Sequence, residues 1–279
     1  MSKKLFLSIA LAIGLLLSPS LSFAESAELL LAPTRIVLDE SNKYGRVTVR
    51  NNGDGVGRYK IEIVDTIMTE NGGITIRKDG LKNKDSAMDF ISLSPRSMTL
   101  QPDDNQTVRL LVKKIKDLPD GEYRTHLQVR MTETDLDLKT GKATKRGAGV
   151  VLRPKMTTVI PLILRKGDTS FKISLDEAKL VMGGDSKNPV PQIKTSFSFS
   201  GNRSVLGDIK VVHVAPNGTE TQLIFFRGIA IYRNVNKRTQ TVSLKVPKGV
   251  NIHSGKLLVS YMSQEREGSQ VLASKEIMP

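Results

Sequence analysis

The run FISLSPRSMTLQPDDNQTVRLLVKKIKDLPDGEYRTHLQVRM, residues 90–131, sets how the whole chain is understood. Apolar Ile91 and Leu93 alternate with Ser92 and Ser94, and the same alternation returns along Thr107–Val112 and His126–Met131. A period of two places every second side chain on one face, the mark of a strand with one buried side. Turn signals separate the runs: Ser94-Pro95, Gln101-Pro102-Asp103-Asp104 and Leu118-Pro119-Asp120-Gly121.

The flanking sequence has the same grammar. Leu29–Leu38 is apolar with a break at Pro33-Thr34-Arg35. Arg46–Asn51 alternates and ends in Asn52-Gly53, a hairpin signal. Arg58–Met68 alternates up to the turn Asn71-Gly72-Gly73, and Ile74–Ile76 reads as a short edge strand. Lys78–Asp89 and Thr132–Gly147 are charged and poor in apolar residues, so both read as loops. Gly149–Leu164 is a long extended run closed by the linker Arg165-Lys166-Gly167-Asp168. A second set follows: Phe171–Leu175, Ala178–Met182, Gln192–Ser200, a hairpin over Gly207–Phe226 turning at Asn217-Gly218, then Thr239–Val246, Lys256–Met262 and Val271–Ile277. Seven or so short strands per half, with turns between them, predict an all-β protein of two immunoglobulin-like sandwiches. No repeat links the halves.

The N-terminus reads as an export signal, residues 1–24: Lys3 and Lys4, the apolar run Leu5–Leu17, then Ser22-Phe23-Ala24 as a cleavage site. The apolar run is short for a membrane span, so no membrane insertion is expected after cleavage. About 255 residues remain, room for two domains of roughly 100–150 residues. Their expected extents are 25–165 and 166–279. The chain has no cysteine, which excludes a disulfide framework and a lipid-anchored N-terminus.

Enzymatic chemistry finds little footing. His126, His213 and His253 have no ligand spacing, and no Gly-x-Ser-x-Gly elbow or cysteine nucleophile exists. Gly53-Asp54-Gly55-Val56-Gly57 lies between strands rather than before a helix, so it lacks the amides of a phosphate cradle. We therefore expect no enzyme, no metal and no cofactor. The net charge of +14 fits either a well-solvated exported β protein or attraction to acidic protein partners. Nucleic acid is not expected for an exported chain without Trp and with few aromatics among its basic residues.

The order Ser-Pro, apolar strand, Pro-Asp turn, strand with Val108-Arg109, then Leu118-Pro119-Asp120-Gly121-Glu122-Tyr123-Arg124 resembles the first domain of the periplasmic pilus chaperones, the PapD-like family. The segment DGEYRTHLQVR, residues 120–130, looks most like the branch that assembles archaic-type fimbriae. The resemblance covers residues 29–168 well and the second half in architecture. It implies an L-shaped, boomerang arrangement, a periplasmic location, and partners consisting of pilin or fimbrial subunits and an outer-membrane usher. It implies donor-strand complementation, in which a chaperone strand fills the groove of a subunit lacking its own last strand.

Carried onto this sequence, the lending strand falls on Val150–Met156, with Val150, Leu152, Pro154 and Met156 on one face. Burying four such side chains contributes roughly 6–12 kcal/mol before ordering costs. Pro154 cannot donate to a ladder, so its nitrogen must face away from the client or sit in a bulge. The family's grip on the subunit's terminal carboxylate maps to Arg35. Pro161 stands where the resemblance implies a Lys, so either Arg35 acts with another base such as Lys155 or Arg153, or the carboxylate is not the main grip, as the archaic-type branch suggests. An acid–Arg–acid network at the linker maps to Glu122, Arg165 and Glu265. The rival readings are an exported structural pilus or surface subunit and an exported hydrolase or carbohydrate-binding module. Glu25–Leu31 is too short and unpatterned for a subunit's donor extension. Five Tyr, eight Phe and no Trp, scattered along strands, make no sugar platform.

Overall fold

The computed structural model describes residues 28–77, 83–134, 155–185, 188–264 and 270–279. Strands dominate, and the helical turns among the described residues are two short 3-10 segments, Met88–Phe90 and Ile115–Asp117.

The first half holds β1 (Leu29–Ala32), β2 (Ile36–Leu38), β3 (Tyr44–Asn51), β4 (Gly57–Val64), β5 (Thr66–Met68), β6 (Ile74–Ile76), β7 (Ile91–Ser94), β8 (Ser97–Leu100), β9 (Asn105–Val112), β10 (Gly121–Thr134) and β11 (Thr157–Lys166). They form one sheet in the order β1-β3-β9-β7 and a second in the order β2-β11-β10-β4-β8. This is the strand order of an immunoglobulin-like sandwich. Two chain segments change sheets, and each does so at a proline. Pro33 separates β1, which pairs with β3, from β2, which pairs with β11. Pro95 separates β7, which pairs with β9, from β8, which pairs with β4. Proline has no N–H for the ladder, so a break there costs no hydrogen bond.

The second half holds β12 (Phe171–Asp185), β13 (Asn188–Gly201), β14 (Val205–Val214), β15 (Glu220–Ile231), β16 (Lys237–Ser243), β17 (Lys256–Ser263) and β18 (Val271–Ile277). Its sheets run β12-β13-β16 and β15-β14-β17-β18, again an immunoglobulin-like order. Each half has its own core. Tyr59, Leu110, Leu127 and Leu162 sit at the centre of the first, and Ile193, Phe197, Val211 and Tyr261 at the centre of the second.

Three local expectations fail for physical reasons. Asn52-Gly53 closes no hairpin, because β3 and β4 belong to different sheets. The buried Asn51 organises that crossing instead: its amide donates to Gly55 O at 2.7 Å and accepts from Gly53 N at 3.1 Å. The alternating run to Met68 is cut at Asp65, whose carboxylate accepts from Ser86 Oγ at 2.6 Å and leaves β5 to pair with β6 as a separate hairpin. Finally, Phe171–Leu175 and Ala178–Met182 are one strand with a bulge between Leu175 and Glu177. The bulge shifts the register by one residue, which keeps both Leu175 and Ala178 in the core.

Candidate functional site

Alternation along three neighbouring strands builds the site. Ile160, Leu162 and Leu164 of β11 point into the first core, as do Ile36 and Leu38 of β2. Ile163 is also fully buried but belongs to neither core. It lies on the opposite face of the sheet, the one turned toward the second sandwich. Residues of the same parity share that face: Arg35 and Val37, Pro161 and Arg165, Glu122, Arg124 and His126. The register fixes who meets whom, with Glu122 beside Arg165, Arg124 beside Ile163 and His126 beside Pro161.

Glu122 is the anion of this face and is 1% exposed. Its carboxylate accepts from Arg124 Nη2 at 2.9 Å and from Arg165 Nε at 3.2 Å. The Ser204 hydroxyl of the second sandwich donates to it as well. Burial pushes its pKa up, but Arg124, the Ser204 hydroxyl and Arg165 outweigh burial and hold it below the usual range. Its backbone N–H donates to Asn202 O at 2.7 Å, and its carbonyl accepts from Arg233 of the second sandwich. Arg233 also pairs with Asp85 at 3.1 Å. The Arg124 guanidinium lies 3.9 Å from the Tyr232 ring centroid, a cation–π contact between the halves.

His126 is a buried bridge rather than an ordinary strand histidine. Its Nδ1 lies 2.9 Å from Thr66 Oγ1 and its Nε2 lies 3.2 Å from the Tyr232 hydroxyl. Burial, then the nearby Arg124, lowers its pKa to about 3, so the ring is neutral.

Arg35 stands apart from its neighbours. Among the described residues it makes no hydrogen bond, and its Nε is buried without a partner. Burial, then Arg124, lowers its pKa; Glu122 opposes them, Arg165 adds to the repulsion, and Tyr232 offsets a little. A half-buried cation without an acceptor is unfavourable, and a carboxylate would relieve it.

One edge of β11 is uncovered beside this cation. β2 pairs only with Leu162–Leu164. From Thr157 to Pro161 the outer edge of β11 has no partner strand among the described residues. Met156 precedes it, 43% exposed, on the same parity as Ile160. Val150, Leu152 and Pro154 lie outside the described residues. Lys155 is not beside Arg35: its amine donates to Thr132 O at 2.6 Å. It lies six residues along the strand from Pro161, about 20 Å at the rise of a strand. The cations that do accompany Arg35 are Arg124 and Arg165. Glu122 and Arg165 meet; Glu265 lies outside the described residues. Sequence reasoning missed Arg124, Ser204, Tyr232 and Arg233. The two-residue spacing of Glu122, Arg124 and His126 could have flagged Arg124, but nothing in the sequence ties the other three to them.

Among the described residues, no cluster of three or more His, Asp or Glu could hold a metal, and no helix is long and apolar enough to cross a membrane. No family model matches the chain, and no curated protein matches its sequence. Solved structures similar to it are periplasmic and fimbrial chaperones. They include the YadV chaperone at 13% identity, covering 89% of this chain and 99% of that one with a TM-score of 0.45. They include the CupB2 chaperone of Pseudomonas aeruginosa at 13% identity, covering 90% and 100% with a TM-score of 0.42. A third is the CsuC–CsuE chaperone–tip subunit complex from the archaic Csu pili of Acinetobacter baumannii, at 14% identity, covering 81% and 93% with a TM-score of 0.40.

Proposed function

We propose that this chain is a periplasmic chaperone. It binds fimbrial subunits by lending the β11 edge and its N-terminal extension, keeps them from aggregating, and hands them to an outer-membrane usher. It performs no covalent chemistry.

The observation that carries this reading is the position of Arg35 relative to the uncovered edge. A guest strand pairing along residues 155–161 runs into β2, which occupies the edge from Leu162 onward. Arg35 immediately precedes Ile36, the residue in register with Leu162. A guest whose C-terminus stops against β2 would place its terminal carboxylate at that guanidinium. Backbone hydrogen bonds would supply affinity along the edge, and the fork of Arg35 would fix the register. Arg35 replaces the two-cation clamp by drawing on the positive field of Arg124 and Arg165, which stand within electrostatic reach.

The alternation of Val150, Leu152, Pro154 and Met156 supports the same use. In the sequence these positions keep the same even spacing as Ile160 and Leu162, the pattern that a lent strand requires. Against the rival reading as a structural subunit stands β11 itself, which completes the first sandwich in this chain.

The test is co-purification. Periplasmic extracts containing the wild-type chain should yield a one-to-one complex with a subunit. Replacing Leu152 and Met156 with Asp should abolish both the complex and surface fimbriae while leaving the thermal midpoint unchanged. A double variant that still copurifies its subunit in equal amount would end the proposal.

A further inference from the structure

The outer face of the other sheet in the first sandwich carries a second surface, remote from the lending edge in topology. Its inner face is fixed by Val47, Val49, Val108 and Leu110, all in the core. The alternate residues must therefore face outward, because a one-residue slip would expose the core set. On that outer face Arg46 of β3 is directly opposite Arg109 of β9. The next outward pair along the same two strands is Tyr44 and Leu111, which are 73% and 36% exposed. On the far side of β9 they are bordered by Ser94 and Ser92 of β7, in register with Arg109 and Leu111.

This arrangement is costly for a free surface. Directly opposed side chains in an antiparallel pair have Cβ atoms about 4.5–5.5 Å apart, and like charges there repel. Among the described residues neither Arg46 nor Arg109 has an ion pair or hydrogen bond. The nearest outward arginine on β3, Arg50, is by contrast matched to Asp103 at 3.0 Å. Beyond Leu111 the column continues into exposed Lys113, which has no ion pair among the described residues. An exposed tyrosine, an exposed leucine and two unneutralised arginines in two adjacent cross-strand rows form a compact patch with no acidic side chain in either row.

We infer that this face docks an acidic segment of a partner protein, one that places a carboxylate over the arginine pair and an apolar side chain against Tyr44 and Leu111. The two rows are two residues apart along the strands, about 7 Å. That spacing matches an extended segment whose acidic and apolar side chains are likewise two residues apart. Tyrosine and arginine are the side chains that most often anchor protein interfaces. A lipid surface is a poorer match, since polybasic membrane sites use clusters of four to eight cations and this patch has two, with Lys113 at its margin. The inference is independent of the proposed chaperone role, because it uses no residue of the β11 edge or the Arg35 cleft.

The test uses the isotope-labelled mature chain and the eight-residue peptide Asp-Ser-Leu-Ser-Asp-Ser-Leu-Ser, acetylated and amidated, which sets acidic and apolar side chains two residues apart on one face. The amide end removes the terminal carboxylate, so the Arg35 cleft is not engaged. Saturable amide shifts should concentrate on residues 44–50 and 105–112. The affinity should fall at least about tenfold in an Arg46→Glu, Arg109→Glu double variant. The single variant Arg46→Glu, which creates an opposite-charge pair with Arg109, serves as the folding control and should melt no earlier than wild type. Shifts that scatter over the whole basic surface, or that persist in the double variant, would overturn the inference. So would sedimentation with phosphatidylglycerol vesicles that depends on Arg46 and Arg109 in the absence of peptide shifts.

Discussion

Asn234 grips the backbone of Met68 at both ends of one residue. Its Nδ2 donates to Met68 O at 2.7 Å, and its Oδ1 accepts from Met68 N at 3.3 Å. The two residues belong to different sandwiches, and the Met68 side chain packs in the core of the second although its strand, β5, branches from the first. Thr239 adds a backbone hydrogen bond to Glu70 O at 2.7 Å from the same side. The β5–β6 hairpin is thus a strut between the halves. Met68→Ala should cost about 2–5 kcal/mol, the range for emptying a core methionine site. Asn234→Ala should cost about 1–2 kcal/mol through the two unpaired backbone groups. Both should broaden the interdomain distance distribution seen by small-angle scattering. An Asn234→Ala scattering profile identical to wild type would remove the strut from the account.

Glu122 is the second tie between the halves, and its loss should differ from that of its partners. Arg165→Ala leaves Arg124 and Ser204 on the carboxylate, so a cost of about 1–2 kcal/mol is expected. Glu122→Ala strands Arg124 and Arg165 without their acceptor, and about 3–5 kcal/mol is expected. The pH dependence follows from the lowered pKa of Glu122. Its folded value is below its unfolded one, so its contribution is complete above the unfolded carboxylate range and disappears as pH falls through the folded value. Denaturant titrations of wild type and Glu122→Gln below pH 4.5, the ordinary Glu value, should therefore converge.

Strand alternation was enough to read the two sandwiches from the sequence, because a half-buried sheet writes its period directly into residues such as Val47, Val49, Val108 and Leu110. Glu122 and Arg165 came instead from the resemblance to the pilus chaperones, not from alternation. Alternation could not reach Ser204, Tyr232 or Arg233. Those side chains join the site only through the contact between the halves, where Met68 also enters a core more than 100 residues away in sequence. The failed hairpin at Asn52-Gly53 has a similar origin. Local turn chemistry was intact there, but β3 pairs with β1 and β9 and β4 with β8 and β10, never with each other.

His126 gives an acid sensitivity that no sequence pattern announces. Its folded pKa of about 3 lies below the ordinary 6.5. Between those values the unfolded chain binds a proton that the native chain refuses. Stability should therefore be complete above pH 6.5 and should fall as pH drops toward 3, by at most about 1.4 kcal/mol per pH unit from this group. His126→Gln can still bond Thr66 and Tyr232 but does not titrate, so its stability should vary less over that window. Parallel pH profiles for the two proteins would show that another group is responsible.

Arg35 offers the sharpest separation of function from stability. A residue retained for the fold should destabilise it when removed. Arg35, by contrast, has no hydrogen bond among the described residues and is repelled by Arg124 and Arg165. Arg35→Ala should leave the thermal midpoint of the free chain unchanged or raise it, since a desolvated cation is replaced by nothing that needs an acceptor. Binding should move the other way. A charged, forked hydrogen bond to a carboxylate contributes about 1.5–3 kcal/mol, so a subunit peptide ending in a free carboxylate should bind roughly ten- to 150-fold more weakly to Arg35→Ala. Arg35→Lys keeps the charge without the fork and should fall between the two. Amidating the peptide terminus should weaken binding to wild type by a similar factor and leave Arg35→Ala unaffected. Calorimetry on these protein–peptide pairs closes the cycle, and an amidation effect that survives in Arg35→Ala would place the carboxylate elsewhere.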